Sequence, residues 1–245
     1  MQVDLFIENS VAMLTLCNPE KLNALSASFV EMIYEKLVDI ESKAKVLVIF
    51  GTEKAFAAGV DINEFAKLDY EKATLNDFIN YKWERVLNTK IPVIAAVQGY
   101  ALGAGFELAL ASDIIIAADF SVFGFPEINL GLIPGLGGTQ LLSRLVGVKK
   151  ASELIMTGDY ISAQEALSLG IVSKIVEKGS LKDEAIALAQ KIAKKSDVGL
   201  RLAKEAIRLS QNAPLSQGIC TERTMFRSLF STQAKIEGVS QFLKK

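Results

Sequence analysis

Apolar and polar positions follow two periods along this chain, and the switches between them mark its elements. Residues 2–8 and 11–17 alternate or run apolar, with Glu8-Asn9-Ser10 between them as a tight turn, which predicts a β-hairpin. Helical spacing then takes over. Phe29, Met32, Ile33, Leu37 and Ile40 share one face, Ser28 and Glu31 fit a capping box, and a helix is expected to about residue 42. Residues 45–50 (KVLVIF) run apolar up to Gly51 and predict a buried strand. Residues 70–88 have an amphipathic helical pattern, and residues 91–97 (IPVIAAV) predict a second buried strand. A glycine turn in GYALGAGFELALASD feeds a short helix expected to begin near Ala104, and residues 114–118 (IIIAA) return as strand. Helices are expected over 137–147, 149–156 and 162–169, the last with Ser162 and Glu165 as a capping box, followed by a short strand over 172–176.

Beyond residue 180 the texture changes. Residues 181–210 and 215–243 keep helical periodicity without a convincing strand. Residues 181–245 carry 12 Lys and Arg against 6 Asp and Glu, which leaves residues 1–180 at −7. Solvated helix faces explain such a basic stretch, and so does a rim beside an anionic ligand or a partner subunit. The organisation expected is an α/β core over residues 1–190 and a C-terminal helical region over 191–245. The long apolar stretch 92–118 is not a membrane span, because Glu107 and Asp113 lie inside it and glycines break it into strand, turn and helix.

Composition narrows the chemistry. The chain has 245 residues, half of them apolar and 22% charged, enough for a substantial core. Its net charge of −1 points to neither nucleic acid nor a membrane surface. Cys17 and Cys220 are far apart and fit no metal or redox spacing. With no disulfide framework and no basic n-region ahead of an apolar stretch, a cytoplasmic setting is expected, or else an organelle matrix. The most informative number is zero, for there is no histidine. That removes Ser-His-Asp triads, Cys-His pairs and histidine-bearing zinc motifs. Acid–base chemistry must then use Asp, Glu, Lys, Tyr or Cys, and a carboxylate serves near neutral pH when burial raises its pKa.

Three segments carry candidate chemistry. In Gly99-Tyr-Ala-Leu-Gly-Ala-Gly-Phe-Glu107 a strand enters a small-residue turn and then a helix, whose first amides lack intrahelical partners and lie at the positive end of its dipole. Gly103 and Gly105 serve either close helix–strand packing or close approach of a ligand. Glu107, in FELALA, is either half of a structural ion pair or a reacting group, since a lone buried carboxylate is costly. The second segment, residues 123–138, holds two prolines and five glycines in an irregular loop. Its Glu127 lies twenty residues beyond Glu107, so the two share no helix face, and taken alone it is a turn or capping residue as readily as a catalyst. The third, Phe56-Ala-Ala-Gly-Val60-Asp61-Ile-Asn-Glu, exposes backbone amides and opens a short helix, with an ordinary turn as the alternative.

Taken together, Asn18-Pro-Glu-Lys-Leu-Asn23-Ala-Leu25, FAAGVD, IPVIAAVQGYALGAGFELALASD, FGFPEINLGLIPGLGGTQ and TGDYISAQEALSLGIV resemble the enoyl-CoA hydratase (crotonase) family, in order and over essentially the whole chain. The resemblance implies an α/β fold, a crotonase-like spiral of ββα units with a C-terminal helical region that packs between subunits as a homotrimer or dimer of trimers. It implies reversible syn hydration of trans-2-enoyl-CoA to 3-hydroxyacyl-CoA. The thioester oxygen would sit between the backbone amides of Val60 and Ala104. Glu107 would activate water and Glu127 would protonate the α-carbon. Coenzyme A contacts are expected from Lys21, Ala58, Val60, Asp61, Ile62, Asn63 and Ala104. Neither a cofactor nor a metal is expected, coenzyme A being part of the substrate. An enoyl-CoA isomerase or another acyl-CoA lyase of the family is the alternative within enzymes, for which paired glutamates discriminate. A non-catalytic member, including an RNA-binding one, is the alternative outside them, and the neutral chain disfavours it. Ala104 stands where the family often has glycine, and Phe106 is bulkier than the residue usual there.

Overall fold

The computed structural model describes residues 1–75 and 81–244. β1 (Gln2–Glu8) and β2 (Val11–Cys17) form the expected hairpin, in full antiparallel register from Gln2 opposite Cys17 to Glu8 opposite Val11. Asn9 and Ser10 make its turn with φ of 51° and 63°, a left-handed pair suited to a two-residue connection. A short 3₁₀ turn (Pro19–Lys21) leads to α1 (Ala27–Leu37) and α2 (Ile40–Lys43). The cap of α1 is Ser26, not Ser28: Ser26 accepts a hydrogen bond from Phe29 N, while Ser28 is already inside the helix. Glu31 pairs with Lys82 instead of reaching back to a cap.

Next come β3 (Val46–Phe50), β4 (Ala55–Ala58), α3 (Ile62–Phe65), α4 (Tyr70–Leu75) and α5 (Tyr81–Leu87). The helix expected over 70–88 is present on both sides of residues 76–80, which lie outside the described residues. The chain continues through β5 (Val93–Val97), β6 (Tyr100–Leu102), α6 (Ala104–Ala111), β7 (Ile114–Ala118), β8 (Val122–Gly124) and a 3₁₀ turn (Pro126–Leu130). α7 (Gly138–Val146), α8 (Val148–Thr157), β9 (Tyr160–Ser162), α9 (Ala163–Ser168) and β10 (Lys174–Val176) complete the mixed region. Ser162 caps α9 by accepting from Glu165 N, as its spacing predicts. Four helices close the chain: α10 (Leu181–Ala193), α11 (Asp197–Leu209), α12 (Leu215–Ser228) and α13 (Gln233–Leu243).

The strands form two sheets. The larger has the order β1-β2-β3-β5-β7-β10 and is parallel from β2 onward. The smaller has the order β4-β6-β8-β9, parallel through its first three strands. Each turn of the chain therefore lays a buried apolar strand in the large sheet, crosses to a short strand of the small sheet, and leaves through a helical turn. β3-β4-α3 is one such turn, β5-β6-α6 the next, and β7-β8 with its 3₁₀ turn the third. Because β4, β6 and β8 are parallel neighbours, the segments after them emerge side by side at one end. The main core lies between the two sheets and their helices, around Phe29, Phe56, Phe106 and Phe123. A second core forms where α10 sets Leu181, Ala185 and Ala189 on the outer face of the large sheet. By contrast, α12 and α13 bury no residue; Phe226 on α12, Phe242 on α13 and Phe230 in the 3₁₀ turn between them (Leu229–Ser231) stand exposed. Among the described residues, no helix is long and apolar enough to cross a membrane; residues 92–118 form the strand, turn, helix and strand their glycines imply.

Candidate active site

The three segments singled out in the sequence are the three that follow the parallel strands of the small sheet. Together they surround a cavity of about 510 Å³ whose wall includes Val60, Ala104, Glu107 and Glu127. Apolar side chains make up most of the remaining wall, among them Phe65, Trp83, Leu130 and Leu136. A helix leaving the site and a strand returning to it bring Glu107 and Glu127 back together across their twenty-residue separation.

Glu107 lies in the first turn of α6 and is 2% exposed. Among the described residues it has no ion-pair partner. Its Oε1 accepts hydrogen bonds from Leu136 N and Gly138 N, both at 2.7 Å. Burial pushes its pKa up, and these two amides pull it back down. The amide donors come from the PGLGG stretch that opens α7, where Gly137 has φ of 106° and so turns successive N–H groups toward one point. Nothing in the spacing of the sequence assigned Leu136 and Gly138 to Glu107. The clustered glycines were the only signal.

Glu127 sits in the first turn of the 3₁₀ segment. Its Oε2 is buried and has no hydrogen-bond partner among the described residues. Burial raises its pKa to about 7, opposed by its own backbone amide and reinforced by the charge of Glu107. The carboxylate rests against Gly103, where a Cβ would come within 2.9 Å of Glu127 Oε1. Gly103 also has φ of 51°, so both its conformation and its neighbour require glycine.

Val60 and Ala104 line the same cavity. Gly103 O accepts from Glu107 N at 2.9 Å, which fixes the peptide plane carrying the Ala104 N–H. Gly59 O accepts from Leu25 N at 2.8 Å, which fixes the plane carrying the Val60 N–H. Neither Val60 N nor Ala104 N has a hydrogen-bond acceptor among the described residues. Two unpartnered donors beside two raised carboxylates can stabilise negative charge on an oxygen while a proton moves at a neighbouring atom.

The other expected ligand contacts divide. Ala58 and Ile62 line the cavity with Val60 and Ala104. Lys21, Asp61 and Asn63 do not. They form a group beside it, in which Asp61 is held by Lys21 Nζ at 2.6 Å and by the backbone and side-chain nitrogens of Asn63 at 3.0 Å. The Lys21 ammonium keeps the Asp61 carboxyl below its ordinary range. Phe106 turns away from the cavity into the core, stacked on Phe125 at 4.7 Å between ring centroids and 1% exposed. Its bulk braces the back of the site and leaves the ligand's space untouched. Among the described residues, no group of three or more Cys, Asp or Glu is placed to hold a metal ion.

A sequence profile of the enoyl-CoA hydratase/isomerase family matches residues 6–245. The chain is 44% identical to a probable enoyl-CoA hydratase of Rhizobium meliloti (strain 1021), across 97% of this chain and 93% of that one. It is 42% identical to the 2,3-dehydroadipyl-CoA hydratase of Escherichia coli (strain K12), across 97% and 94%. Among solved structures, an enoyl-CoA hydratase from Bacillus anthracis superposes with a TM-score of 0.94 at 37% identity, covering 100% of this chain and 96% of that one.

Proposed function

The chain belongs to the enoyl-CoA hydratase/isomerase family, and from that premise we propose that it is an enoyl-CoA hydratase whose reaction runs on Glu107, Glu127 and the amides of Val60 and Ala104. The observation that carries this reading is the convergence of two carboxylates of raised pKa and two unpartnered N–H groups on one largely apolar cavity. An isomerase needs one group to shuttle a proton between carbons. Water addition needs two, one to take a proton from water and one to give a proton to carbon.

The thioester oxygen lies between Val60 N and Ala104 N. Glu107, whose ionised form is favoured by Leu136 N and Gly138 N against the opposing effect of burial, accepts a proton from water as the water oxygen bonds to C3. The C2=C3 electron pair moves toward C2 and the thioester oxygen, where the two amides stabilise the developing charge. Glu127, protonated because its burial disfavours the anion, delivers its proton to C2. The product is 3-hydroxyacyl-CoA, with Glu107 protonated and Glu127 ionised. Dehydration is the same path in reverse. No cofactor takes part. Coenzyme A is substrate, passing along Ala58 and Ile62, with Lys21, Asp61 and Asn63 beside its entry.

The C-terminal region, residues 191–245, supplies the contact between subunits in a trimer or a dimer of trimers. The uncovered Phe226, Phe230 and Phe242 support that assignment. The cytoplasm is the proposed setting.

Mixing the protein with crotonyl-CoA tests the function directly. Loss of the enoyl thioester absorbance, with 3-hydroxybutyryl-CoA as the product, is expected. Migration of the double bond without uptake of water would identify an isomerase instead.

A further inference from the structure

Residues 18–25 lie between β2 and α1 and donate no side chain to the cavity wall, yet they hold the segment from Ala55 to Asp61 at five places. Asn23 is completely buried, at 0% exposure, in a left-handed conformation with φ of 58°. Its Nδ2 donates to Ala55 O at 2.9 Å and Phe56 O at 3.1 Å, both in β4, and its Oδ1 accepts from Asn18 N at 2.6 Å. Leu22 O accepts from Ala58 N at 3.0 Å, and Leu25 N donates to Gly59 O at 2.8 Å. Lys21 closes the series on Asp61. The loop thus grips the chain on both sides of Val60 while leaving the Val60 N–H itself free.

Peptide geometry gives these bonds a directional consequence. The Gly59 carbonyl and the Val60 N–H belong to one planar trans unit, so they point in opposite directions. Pinning the carbonyl toward Leu25 aims the N–H away from the loop, at the cavity. The bond to the carbonyl also polarises the unit and strengthens its N–H as a donor. Ala104 obtains the same arrangement from within its own helix, through Gly103 O and Glu107 N. Val60 precedes a helix of only four residues and has no such internal support, so the support comes from outside.

We infer that residues 18–25, locked by Asn23, are the positioning element of the Val60 oxyanion donor, with Leu25 N fixing the peptide that carries it. Asn23 and Leu25 are positioning residues, since neither lines the cavity. The inference rests on the proposed oxyanion role of Val60.

Two variants and one spectroscopic probe test it. Asn23→Gly keeps the left-handed backbone without strain and deletes the three side-chain bonds. Replacing Leu25 by its α-hydroxy acid analogue turns one amide into an ester, which removes the donor to Gly59 O, leaves every side chain in place and weakens the Ala24 carbonyl as an acceptor. Acetyl-CoA with a ¹³C carbonyl binds without reacting, and its infrared carbonyl stretch reports polarisation by the site. The wild-type protein should lower that stretch relative to free acetyl-CoA. Both variants, shown by circular dichroism to be folded, should return it toward the free value and lower kcat about 10- to 10²-fold, with a smaller change in KM. Should Asn23→Gly fail to fold, the ester variant decides alone. Unchanged stretch and kcat in the folded variants, with a normal shift in the wild type, would overturn the role of the loop and leave the oxyanion site standing. Absence of any shift in the wild type would instead remove the oxyanion reading itself.

Discussion

The two carboxylates of the cavity are of one chemical type, a few residues from a glycine turn in each case, yet their surroundings differ in kind. Glu107 is on a helix, almost fully buried, and its Oε1 is met by two amides at 2.7 Å. Glu127 is on a 3₁₀ turn, less buried, and its Oε2 meets no donor among the described residues. More burial alone would leave Glu107 the weaker acid, but donors to the charged form oppose burial, and at Glu127 the charge of Glu107 adds to it. The contrast teaches that donors aimed at an oxygen, and not depth alone, distinguish the surroundings of the two carboxylates.

The strongest way to break this division is to neutralise either group. Glu107→Gln and Glu127→Gln should each lower kcat by about 10²–10⁴-fold while the protein stays folded. Because the proposed mechanism uses both in one step, the double variant should fall little further than the worse single one. Near-normal turnover in either single variant would end the two-carboxylate mechanism.

A slightly smaller effect is expected when the charges stay and a donor goes. Ala104→Pro removes the N–H at the first position of α6, where proline is sterically acceptable, and should cost roughly 10²–10³ in turnover. Ala104→Gly removes only a methyl group and should retain substantial activity. If Ala104→Pro is folded by circular dichroism and turns over like the wild type, the oxyanion site lies elsewhere.

The pH profile sharpens the comparison further. In the proposed mechanism hydration starts from ionised Glu107 with protonated Glu127, and dehydration from the reverse. These are two arrangements of the same single proton, so kcat/KM should be bell-shaped and have the same limbs in both directions. The alkaline limb should fall near pH 7, reporting the pair as a unit. Limbs that differ between the two directions would show that a third group titrates in the step.

How far the sequence disclosed this site depends on element length. The five longer strands of the large sheet are continuous or alternating apolar segments, and each was expected within two residues. The small sheet went unseen. Its strands Ala55–Ala58, Tyr100–Leu102, Val122–Gly124 and Tyr160–Ser162 are three or four residues long, too short to display a period, and two of them run straight into Gly103 or end on Gly124. Yet that sheet places the site, since its parallel pairing sets Val60, Ala104 and Glu127 side by side. Glu107 was legible because a carboxylate in FELALA has no inexpensive explanation. Its ligands Leu136 and Gly138 were not, because a backbone N–H leaves no mark in the sequence beyond a glycine that frees it. Ser28 was mistaken for a cap for a related reason. Two serines at positions 26 and 28 offer two registers, and only the fold chooses Ser26.

The smallest effect concerns stability and isolates Glu127 from its chemistry. Its folded-state pKa of about 7 lies above its ordinary value of 4.5. Between those two values the folded protein binds more protons than the unfolded chain, so unfolding becomes easier as pH rises through that window, and the loss is complete above about pH 7. The gap sets an upper limit of about 3.5 kcal/mol, at ~1.4 kcal/mol per pH unit, and partial solvent exposure of the residue reduces it. Glutamine cannot ionise and avoids this loss. Glu127→Gln should therefore raise Tm by about 2–4 °C at pH 8 and leave it nearly unchanged at pH 4.5. Glu107→Gln gives the contrasting result, because it leaves the amides of Leu136 and Gly138 facing a weaker acceptor, and its gain at pH 8 should be smaller or absent. Scanning calorimetry at the two pH values measures both. A rise in Tm for Glu127→Gln that is equal at pH 4.5 and pH 8 would mean that the carboxylate is not held protonated by its burial, and the division of roles between the two glutamates would lose its physical basis.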